Sequence, residues 1–511
     1  MDFARLDEHL RVTAHATPDA SAYTYLEKTV SYGQLYDEVL RVAGGLLELG
    51  FKSGDGLAIL LPNCAEFVTV FHGALRAGMF CVPMNPLYAP SELLYMIKDS
   101  GVKVIVAPEQ MASMAPLVRA AVPGITLVVV GRDGTAPDGV VPYESLLTHE
   151  PGADTLQSGS VEDLAVVLYT SGTTGKPKGA MLTHRNLSSV AVILGNYMGY
   201  AASDRIIAVL PLFHAFGLTV CLNTAIYTGA EIIILPRFRP SEVLAVIQAT
   251  RATIFVGVPT MYSFILQAAG DAPVDVSSVH HWVSGGAAMP VAVMEAFERR
   301  FGAAVLEGYG LSEASPVTAF APVDGRPRKV GSIGVTLPMM DQRVVDAEDR
   351  EVTVGEFGEL VVRGPNVMKG YLGRPDDTAA VLRDGWLHTG DIARMDEDGY
   401  FYIVDRKKDM IIVGGFNVYP REVEEVLFGH EGISESAVIG VPDDQYGETV
   451  LAFVVRRNDS LTAEDIQAFC ADRLAKYKRP TRIVFVDELP KNTMGKVLRR
   501  ELKERFAGKS V

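Results

Sequence analysis

Residues 169–179 read YTSGTTGKPKG and place three glycines, four serine or threonine residues, two lysines and a proline in eleven positions. Such a stretch cannot form a regular helix or strand. The apolar run LAVVLYT (164–170) leads into it, and AMLTH (180–184) follows before the helical pattern NLSSVAVILGNYM (186–198) begins. We therefore predict a glycine-rich loop between two strands, whose backbone N–H groups, hydroxyls and lysines would bind a phosphate.

The loop is not a Walker A motif, which requires GxxxxGK[ST] leading directly into a helix N-terminus. Here the spacing from Gly172 to Lys176 is different, and Pro177 follows the lysine. An ordinary P-loop NTPase is therefore disfavoured. Taken alone, the loop composition fits a flexible surface hairpin equally well.

The composition is that of a folded globular protein, with 48% hydrophobic and 21% charged residues. The 511 residues exceed the roughly 250 to 300 at which a single core stops growing, so two or more domains are expected. The N-terminal stretch has no apolar signal region, and no apolar run approaches the ~18 residues of a membrane span. A cytoplasmic, reducing location is expected, in which the scattered cysteines are small buried hydrophobes: Cys64, Cys81, Cys221 and Cys470.

The formal net charge of −15 is carried by residues 1–404, because residues 405–511 hold 18 basic and 18 acidic side chains. An acidic body disfavours nucleic acid as the main partner. The basic clusters KYKRPTR (476–482) and KVLRRELKERF (496–506) fit either solvated surface helices or a surface for an anionic ligand.

Short apolar runs alternate with helical patterns up to about residue 400, which predicts a large N-terminal α/β domain of stacked layers with largely parallel sheets. The strand-like runs include residues 56–62, 102–108, 125–131, 205–211 and 230–236.

In residues 355–405, glycines recur between short strand-like runs, which predicts short hairpins in a small β-barrel-like subdomain. A new pattern of helices and strands follows the charged segment DRKKDMI (405–411). We therefore divide the chain into residues 1–404, a linker at 405–409 and a small α+β C-terminal domain at 410–511.

Seven motifs together resemble the adenylate-forming superfamily, which contains acyl-CoA synthetases, peptide synthetase adenylation domains and firefly luciferase. They cover essentially the whole chain in the family's order, and the resemblance is strongest to bacterial fatty acyl-CoA synthetases. The motifs are YTSGTTGKPKG, PLFHAFG (211–217), VSGGAAMP (283–290), EGYGLSEA (307–314), DGWLHTGD (384–391), YIVDRKKDMIIVGGFNVYP (402–420) and PKNTMGKVLRR (490–500).

The resemblance implies that a carboxylic acid and ATP form an acyl-adenylate with loss of pyrophosphate, and that the acyl group then passes to coenzyme A or a carrier-protein thiol. A carboxylate is a poor electrophile because its leaving group would be oxide, whereas the mixed anhydride supplies AMP. The protein must hold two anions together and neutralise charge on the α-phosphate. Small molecules are the expected partners, and a homodimer or a peripheral membrane contact stays open.

By the same resemblance, the loop grips pyrophosphate through Thr170, Ser171, Gly172, Thr173, Thr174, Gly175, Lys176 and Lys178. Glu313 is the expected Mg²⁺ ligand, beside Ser312, which replaces the commoner threonine. Asp391 and Arg406 would bind the ribose hydroxyls, although alone they would fit a turn residue and a surface charge. The remaining nucleotide positions are Gly285, Gly286, Ala287, Gly308, Tyr309, Gly310 and Ile403.

Lys496 resembles the catalytic lysine of a mobile C-terminal domain, which contacts the carboxylate and the α-phosphate. Lys408 resembles the hinge about which that domain turns, although composition alone fits a plain linker equally well. Gly414 and Gly415 would line the tunnel for the thiol of coenzyme A.

His214 lies where amino-acid-activating relatives carry an aspartate, so an amino acid substrate is disfavoured; alone, it fits a core histidine equally well. Malonate-activating relatives place an arginine where this chain has Phe264. An uncharged acyl tail is therefore expected in a pocket of Phe216, Thr260, Phe264, Gly285, Gly308, Pro316 and Val317.

The predicted function is ATP-dependent synthesis of acyl-CoA from a medium- or long-chain fatty acid, with catalytic roles for Lys496, Glu313, His214 and Thr170. Three alternatives stay open. A hydroxycinnamate- or benzoate-type ligase shares every motif, and a luciferase-like oxidase shares the adenylation half, although the chain's last residues, GKSV, are not a peroxisomal SKL. A catalytically silent nucleotide-binding homologue would keep the fold, but the retained Lys496, Glu313 and loop argue against it.

Overall fold

The computed structural model describes residues 3–131, 139–150, 159–170, 176–443, 445–492 and 495–506. The α-helices of this part are α1 (Leu6–Ala16), α2 (Tyr32–Glu48), α3 (Ala65–Arg76), α4 (Pro90–Ser100), α5 (Ala115–Ala121), α6 (Tyr143–Leu146), α7 (His184–Met198), α8 (Thr224–Thr228), α9 (Pro240–Thr250), α10 (Pro259–Ala269), α11 (Val291–Phe301), α12 (Pro375–Val381), α13 (Pro420–Phe428), α14 (Ala463–Ala471) and α15 (Arg499–Phe506). Short 3-10 turns lie at Glu109–Met114, Ser312–Ala314 and Lys476–Lys478, and a π-helical segment lies at Gly217–Asn223.

The strands, in chain order, are β1 (Ser21–Tyr25), β2 (Lys28–Ser31), β3 (Gly56–Ile59), β4 (Phe80–Pro83), β5 (Val104–Pro108), β6 (Thr126–Val130), β7 (Val141–Pro142), β8 (Leu164–Thr170), β9 (Lys178–Thr183), β10 (Arg205–Ala208), β11 (Glu231–Ile234), β12 (Ile254–Gly257), β13 (His281–Ser284), β14 (Val305–Gly310), β15 (Val317–Phe320), β16 (Val335–Thr336), β17 (Asp341–Val345), β18 (Gly358–Arg363), β19 (Gly370–Tyr371), β20 (Leu382–Arg383), β21 (Trp386–Met395), β22 (Phe401–Arg406), β23 (Ile411–Val413), β24 (Phe416–Val418), β25 (Ile433–Asp443), β26 (Gly447–Arg456) and β27 (Arg482–Phe485).

Two large sheets form the N-terminal part, and both are mainly parallel, as predicted. One has the order β16-β15-β14-β13-β12-β10-β11-β1-β2, and the other has the order β19-β9-β8-β4-β3-β5-β6-β7. Their antiparallel pairs lie toward the ends of the sheets, at β1/β2, β14/β15, β15/β16, β8/β9 and β9/β19.

The central strands of these sheets are mainly apolar because both of their faces are covered. In β3, Leu57 and Ile59 pack in the main core together with Val70 of α3 and Ile207 of the other sheet. The intervening Ala58 faces a second apolar cluster. The two sheets therefore share one core, with helices between and around them.

A third sheet is antiparallel and contains the hairpins expected in the glycine-punctuated region. Its strands are β17, β18, β20, β21 and β22, and the long strand β21 pairs with β18, β20 and β22. This sheet carries the segments predicted to bind ribose.

The C-terminal part has its own sheet, β23 to β27, with α13, α14 and α15, which confirms the expected smaller α+β unit. Separate apolar clusters cover the two faces of this sheet. The expectation of a surface helix is wrong for residues 476–482, where a short 3-10 turn leads into β27. Pro480 explains the difference, since proline lacks a backbone N–H and disfavours a helical residue before it.

All four cysteines are buried and unpaired, as predicted. In the part of the chain that the structure describes, no helix combines the length and the apolar character needed to cross a bilayer.

Candidate active site

The glycine-rich loop, residues 170–178, joins two antiparallel strands. β8 ends at Thr170, β9 begins at Lys178, and these two residues pair across the ladder. The ladder therefore closes the base of the loop. The predicted phosphate-binding residues outside the described part of the chain are Ser171, Gly172, Thr173, Thr174 and Gly175.

Glu313 lies beside the start of this loop. Its Oε1 accepts hydrogen bonds from the hydroxyls of Thr170 (3.1 Å) and Tyr371 (2.9 Å), and its backbone oxygen accepts one from the Met368 N–H (2.8 Å). Burial and the Glu313 carboxylate raise the pKa of Tyr371, so the phenol remains a donor. Two donors on one oxygen fix the orientation of the carboxylate.

The two lysines of the loop lie near aromatic rings. Lys178 Nζ donates to Asp377 of α12 and lies 5.4 Å from the ring centroid of Tyr371. Lys176 Nζ lies 5.9 Å from the ring centroid of Tyr95. Both ammonium groups thus have cation–π contacts, and Lys178 also has a carboxylate partner.

The predicted ribose-binding pair is formed where β21 and β22 lie side by side. Asp391 is paired with Arg406 in the ladder, and its Oδ1 lies 3.5 Å from Arg406 Nε. The Tyr309 hydroxyl donates to the other oxygen, Oδ2, at 2.5 Å. Ile403 lies on the same strand as Arg406, and its carbonyl accepts a hydrogen bond from Arg421. Tyr309, Asp391 and Arg406 therefore form one connected group.

The predicted adenine segment follows β13 directly. Gly285 is buried, and a Cβ there would lie 2.9 Å from Phe216 Cζ and 3.2 Å from the Gly308 carbonyl oxygen. Gly286 has φ +78°, a conformation that favours glycine, and both Gly286 and Ala287 are exposed. This exposed backbone is accessible to a flat ligand.

The glycines of β14 allow a close approach of the segment that follows. A Cβ on Gly308 would lie 2.8 Å from the ring of Phe320 in β15, and one on Gly310 would lie 1.5 Å from the Pro316 carbonyl oxygen. Val317, the next residue, is buried. The side-chain position of Gly308 thus faces Phe320, whereas its carbonyl oxygen faces Gly285.

Lys496 lies at the end of a turn that packs on the N-terminal part. The Lys496 N–H donates to Asn492 Oδ1, and the Asn492 N–H donates to the Lys496 carbonyl oxygen, both at 2.9 Å. A Cβ on Gly495 would lie 2.7 Å from Thr260 Oγ1 in α10. Thr260 is therefore covered by the segment that carries the predicted catalytic lysine.

The charges around Lys496 show which groups share its site. Burial and the nearby Arg406 lower the pKa of Lys496 to about 8, while Asp391 acts in the opposite direction. Burial and Lys496 lower the pKa of His214 to about 4. His214 is therefore neutral at pH 7, and its Nδ1 accepts the Phe216 N–H at 3.3 Å, so Nε2 carries the proton. Lys496, His214 and the ribose-binding pair are thus neighbours.

The predicted acyl-pocket residues lie on α10, after β13, on β14 to β15 and, for Phe216, immediately before the π-helical segment. Phe216 and Gly285 are in close contact, whereas Phe264 is 44% exposed and its ring lies 6.5 Å from that of Phe238. The structure therefore brings Phe216 and Gly285 together and leaves Phe264 at the surface.

Lys408 lies in an exposed turn between β22 and β23. The Asp409 N–H donates to the Arg406 carbonyl oxygen, and the Lys407 N–H donates to the Gly390 carbonyl oxygen, both at 2.9 Å. Partial desolvation of the side chain and the nearby Arg406 lower the pKa of Lys408. The turn follows directly on β22, the strand that carries Arg406.

Gly414 and Gly415 form the two-residue turn between β23 and β24. Their φ angles are +57° and +85°, and both residues are exposed. The Gly414 N–H donates to the Tyr446 carbonyl oxygen at 2.8 Å. A hairpin turn with two positive φ angles favours glycine at both positions.

Sequence reasoning missed several polar residues of this region. Tyr371 and Asp377 reach the loop because β19 pairs with β9, which is far away in the sequence. Glu307 is buried and accepts the Met289 N–H at 3.2 Å, and burial raises its pKa to about 7. The sequence signal that could have identified Glu307 is an acidic residue within a largely apolar strand. For Tyr371 and Asp377 the sequence offered no such signal.

The comparisons with known proteins identify the family of the chain. Residues 10–372 match the family described as AMP-binding enzyme, and residues 422–496 match the AMP-binding enzyme C-terminal domain. A long-chain-fatty-acid–CoA ligase of Bacillus subtilis (strain 168) is 40% identical over 98% of this chain and 94% of its own length. A feruloyl-CoA synthase of Amycolatopsis sp. is 39% identical over 96% of this chain and 97% of its own length.

Among solved structures, ATP-bound MatB from Rhodopseudomonas palustris is 34% identical and superimposes with a TM-score of 0.92 over 99% of each chain. The match covers both parts of the molecule. The chain therefore belongs to the AMP-binding enzyme family and is an AMP-forming acyl-CoA synthetase, whose substrates are a carboxylic acid, ATP and coenzyme A.

Proposed function

We propose that this synthetase converts a medium- or long-chain fatty acid to its acyl-CoA through an acyl-adenylate, with release of pyrophosphate and AMP. The observation that carries the proposal is the absence of charge among the residues assigned to the acyl pocket. Phe216, Gly285 and Val317 offer apolar surface, and His214 beside them is neutral. Burial of an alkyl tail is favourable there, whereas a second carboxylate or an ammonium group would lack a partner.

In the adenylation step, a carboxylate oxygen attacks the α-phosphorus, and pyrophosphate leaves. Asp391 and Arg406 would hold the ribose hydroxyls, and the Nε2–H of His214 would donate to the acyl carboxylate. Lys496 would neutralise the charge that develops on the α-phosphate. The closeness of Lys496 to Asp391, Arg406 and His214 supports this assignment.

The residues at the loop fit a magnesium ion. Mg²⁺ is usually held by one or two carboxylates together with substrate phosphates, and among the described residues no group of three potential protein ligands forms a dedicated cage. Glu313 would hold Mg²⁺ by its carboxylate, oriented by Thr170 and Tyr371. When bound, the ion would screen charge on the phosphates.

For thioester formation, Lys496 must leave the site so that a thiol can reach the acyl-adenylate. We assign the hinge to Lys408, because its exposed turn lies between a strand of the N-terminal part and the first strand of the C-terminal sheet. Gly414 and Gly415 would then line the thiol path after reorientation. Their exposure in the present orientation agrees with a role in the second step only.

An aromatic acid is the second candidate substrate. One observation favours it: a feruloyl-CoA synthase and a long-chain-fatty-acid–CoA ligase are about equally similar to this chain. Aliphatic and aromatic tails are both apolar, so the lining residues alone accept either.

A pyrophosphate-release screen over straight-chain fatty acids, hydroxycinnamic and benzoic acids, dicarboxylates and amino acids tests the proposal. We expect kcat/KM to rise with chain length, since each buried methylene contributes ~0.8 kcal/mol. A hydroxycinnamate as the best substrate would replace the fatty acid by the aromatic acid. A dicarboxylate or amino acid as the best substrate would overturn the assignment of the pocket.

A further inference from the structure

Arg499 lies within a cluster of three carboxylates. Its Nη2 donates to both oxygens of Glu424, at 2.8 and 2.7 Å, and its Nη1 lies 3.5 Å from Asp405 Oδ1 and 3.5 Å from Asp409 Oδ2. Asp405 is only 5% exposed. One guanidinium therefore joins three segments that are separate in the sequence.

The partners of Arg499 lie on opposite sides of Lys408. Asp405 belongs to β22, in the antiparallel sheet of the N-terminal part, whereas Asp409, Glu424 and Arg499 follow Lys408. Turning about Lys408 would carry Arg499 and Glu424 together and would separate both from Asp405. Among the three carboxylate contacts of Arg499, only the contact with Asp405 therefore depends on the orientation of the C-terminal part.

Asp405 makes a second contact across the same turn. Its Oδ2 accepts the Arg421 N–H at 2.8 Å, in the first turn of α13, whose own N-cap residue, Tyr419, provides no side-chain cap. A carboxylate at a helix N-terminus satisfies a free backbone donor and interacts favourably with the helix dipole. Asp405 thus holds both α13 and the start of α15.

The cluster of Arg499 and its carboxylates is close in sequence to two residues assigned to the active site, Lys496 and Arg406. Arg499 begins α15, three positions after Lys496, and Asp405 immediately precedes Arg406, which pairs with Asp391. Fixing Arg499 to Asp405 therefore fixes the lysine segment relative to the ribose-binding strand.

We propose that Asp405 and Arg499 form a lock across the hinge, which holds Lys496 in the orientation for adenylation and opens before thioester formation. Both are positioning residues, because they act through Lys496 and Arg406. The inference rests on the two-orientation mechanism proposed above.

The test measures the two half-reactions of the full-length Asp405→Asn variant separately. Adenylation is followed by pyrophosphate release and thioester formation by coenzyme A consumption from supplied acyl-adenylate. We expect adenylation to fall by about fivefold or more, as for loss of a coupled charged contact, while thioester formation stays equal or becomes faster. Equal slowing of both steps, or unchanged adenylation, would overturn the lock.

Glu424→Gln is the matched control, since Glu424 contacts the same guanidinium but lies on the same side of the hinge. We expect it to change both half-reactions by the same factor. If Asp405→Asn does not fold, Arg499→Lys keeps the positive charge without the fork that spans the carboxylates. It should slow adenylation selectively, and an equal effect on both steps would count against the lock.

Lys496→Ala separates failure of this inference from failure of the proposed function. If Lys496→Ala slows both half-reactions equally, the two-orientation mechanism itself fails. If Lys496→Ala slows adenylation alone but Asp405→Asn does not, only the lock fails. Limited trypsin digestion at the exposed Lys407 and Lys408 gives a readout independent of activity, and it should be faster in Asp405→Asn than in Glu424→Gln.

Discussion

The hydroxyl of Tyr309 and the carboxylate of Asp391 come from different sheets and meet at 2.5 Å, so that the Asp391 carboxylate is held from the nine-stranded sheet. Burial and Asp391 raise the pKa of Tyr309, which keeps the phenol protonated as a donor. The position of Asp391 therefore depends on a residue that does not lie on its own strand.

Tyr309→Phe is expected to raise the KM for ATP roughly tenfold with a smaller effect on kcat, since a hydrogen bond to a charged group contributes about 1.5–3 kcal/mol. ATP titration in a pyrophosphate-release assay measures the change. Tyr402→Phe is the control, because Tyr402 also donates to an aspartate, Asp396, within the same antiparallel sheet but outside the site. Equal effects of the two variants would contradict the role assigned to Tyr309.

Lys496→Ala is expected to slow adenylation by a factor of roughly a hundred or more, as when a preorganised donor is removed, and to leave transfer from supplied acyl-adenylate nearly normal. Measuring each half-reaction alone distinguishes these effects. Equal loss in both half-reactions would contradict the two-orientation mechanism.

The pH profile gives a second test of Lys496. Burial lowers its pKa to about 8 in the free enzyme, and the charged form is the active one, so kcat/KM for adenylation should fall as pH rises through about 8. Arginine stays charged in this range, and Lys496→Arg should lose that fall even if its rate is lower. A fall that persists in Lys496→Arg would belong to another group.

Tyr371→Phe should raise the Mg²⁺ concentration needed for half-maximal adenylation several-fold, because Glu313 loses one of the two donors on Oε1. Mg²⁺ titration at fixed ATP provides the measurement. Tyr402→Phe again serves as control, and the KM for the carboxylic acid substrate should not change. An unchanged Mg²⁺ requirement would separate Tyr371 from the metal site.

Gly285→Ala should shift the preference toward shorter acids, because its Cβ would lie 2.9 Å from Phe216 Cζ and add volume between two residues assigned to the pocket. A chain-length series in the pyrophosphate-release assay shows the shift. Gly56→Ala is the control, since its Cβ would lie 2.5 Å from Phe80 Cζ in the other large sheet and should lower stability without changing the profile. The same profile in both variants would place the acyl pocket elsewhere.

Gly415→Leu should spare adenylation and slow thioester formation steeply, because the side chain would block the thiol path after reorientation. Gly399→Leu controls for backbone strain, since Gly399 has a similar φ of +81°, and a Cβ there likewise meets nothing within 4 Å. Coenzyme A consumption from supplied acyl-adenylate measures the second step. Equal loss in the two variants would indicate strain as the cause.

The sequence predicted the arrangement of strands well where strands are buried on both faces. Runs such as residues 56–62 and 205–211 are mostly apolar because helices and the neighbouring sheet cover them, and they contain β3 and β10. The loop between β8 and β9 was predicted for a similar reason, since its glycines interrupt two apolar runs. The prediction of a helix at residues 476–482 was wrong because Pro480 disfavours helical backbone there, although the charge pattern fits a surface helix.

The contacts within the site were less accessible to prediction. Motifs identified Glu313, Asp391 and Lys496 as candidates, but nothing local indicates that Tyr371 donates to Glu313 or that Asp405 meets Arg499. Such contacts arise from strand pairing and domain packing between distant segments, which no short window of sequence contains. The contact between Gly308 and Phe320 likewise depends on the register of β14 against β15.

The pairing of β1 with β11 affects how the chain must be made. Tyr23 lies beside Ile232, so the first strand of the nine-stranded sheet emerges from the ribosome long before its parallel neighbour exists. At about 5–20 residues per second, the roughly 200 intervening residues take about 10–40 s to synthesise. During that interval the β1–β2 hairpin presents an open, partly apolar edge to solvent. Nascent chains of this enzyme are therefore expected to depend on chaperones, and to be prone to aggregation, until β11 has been translated.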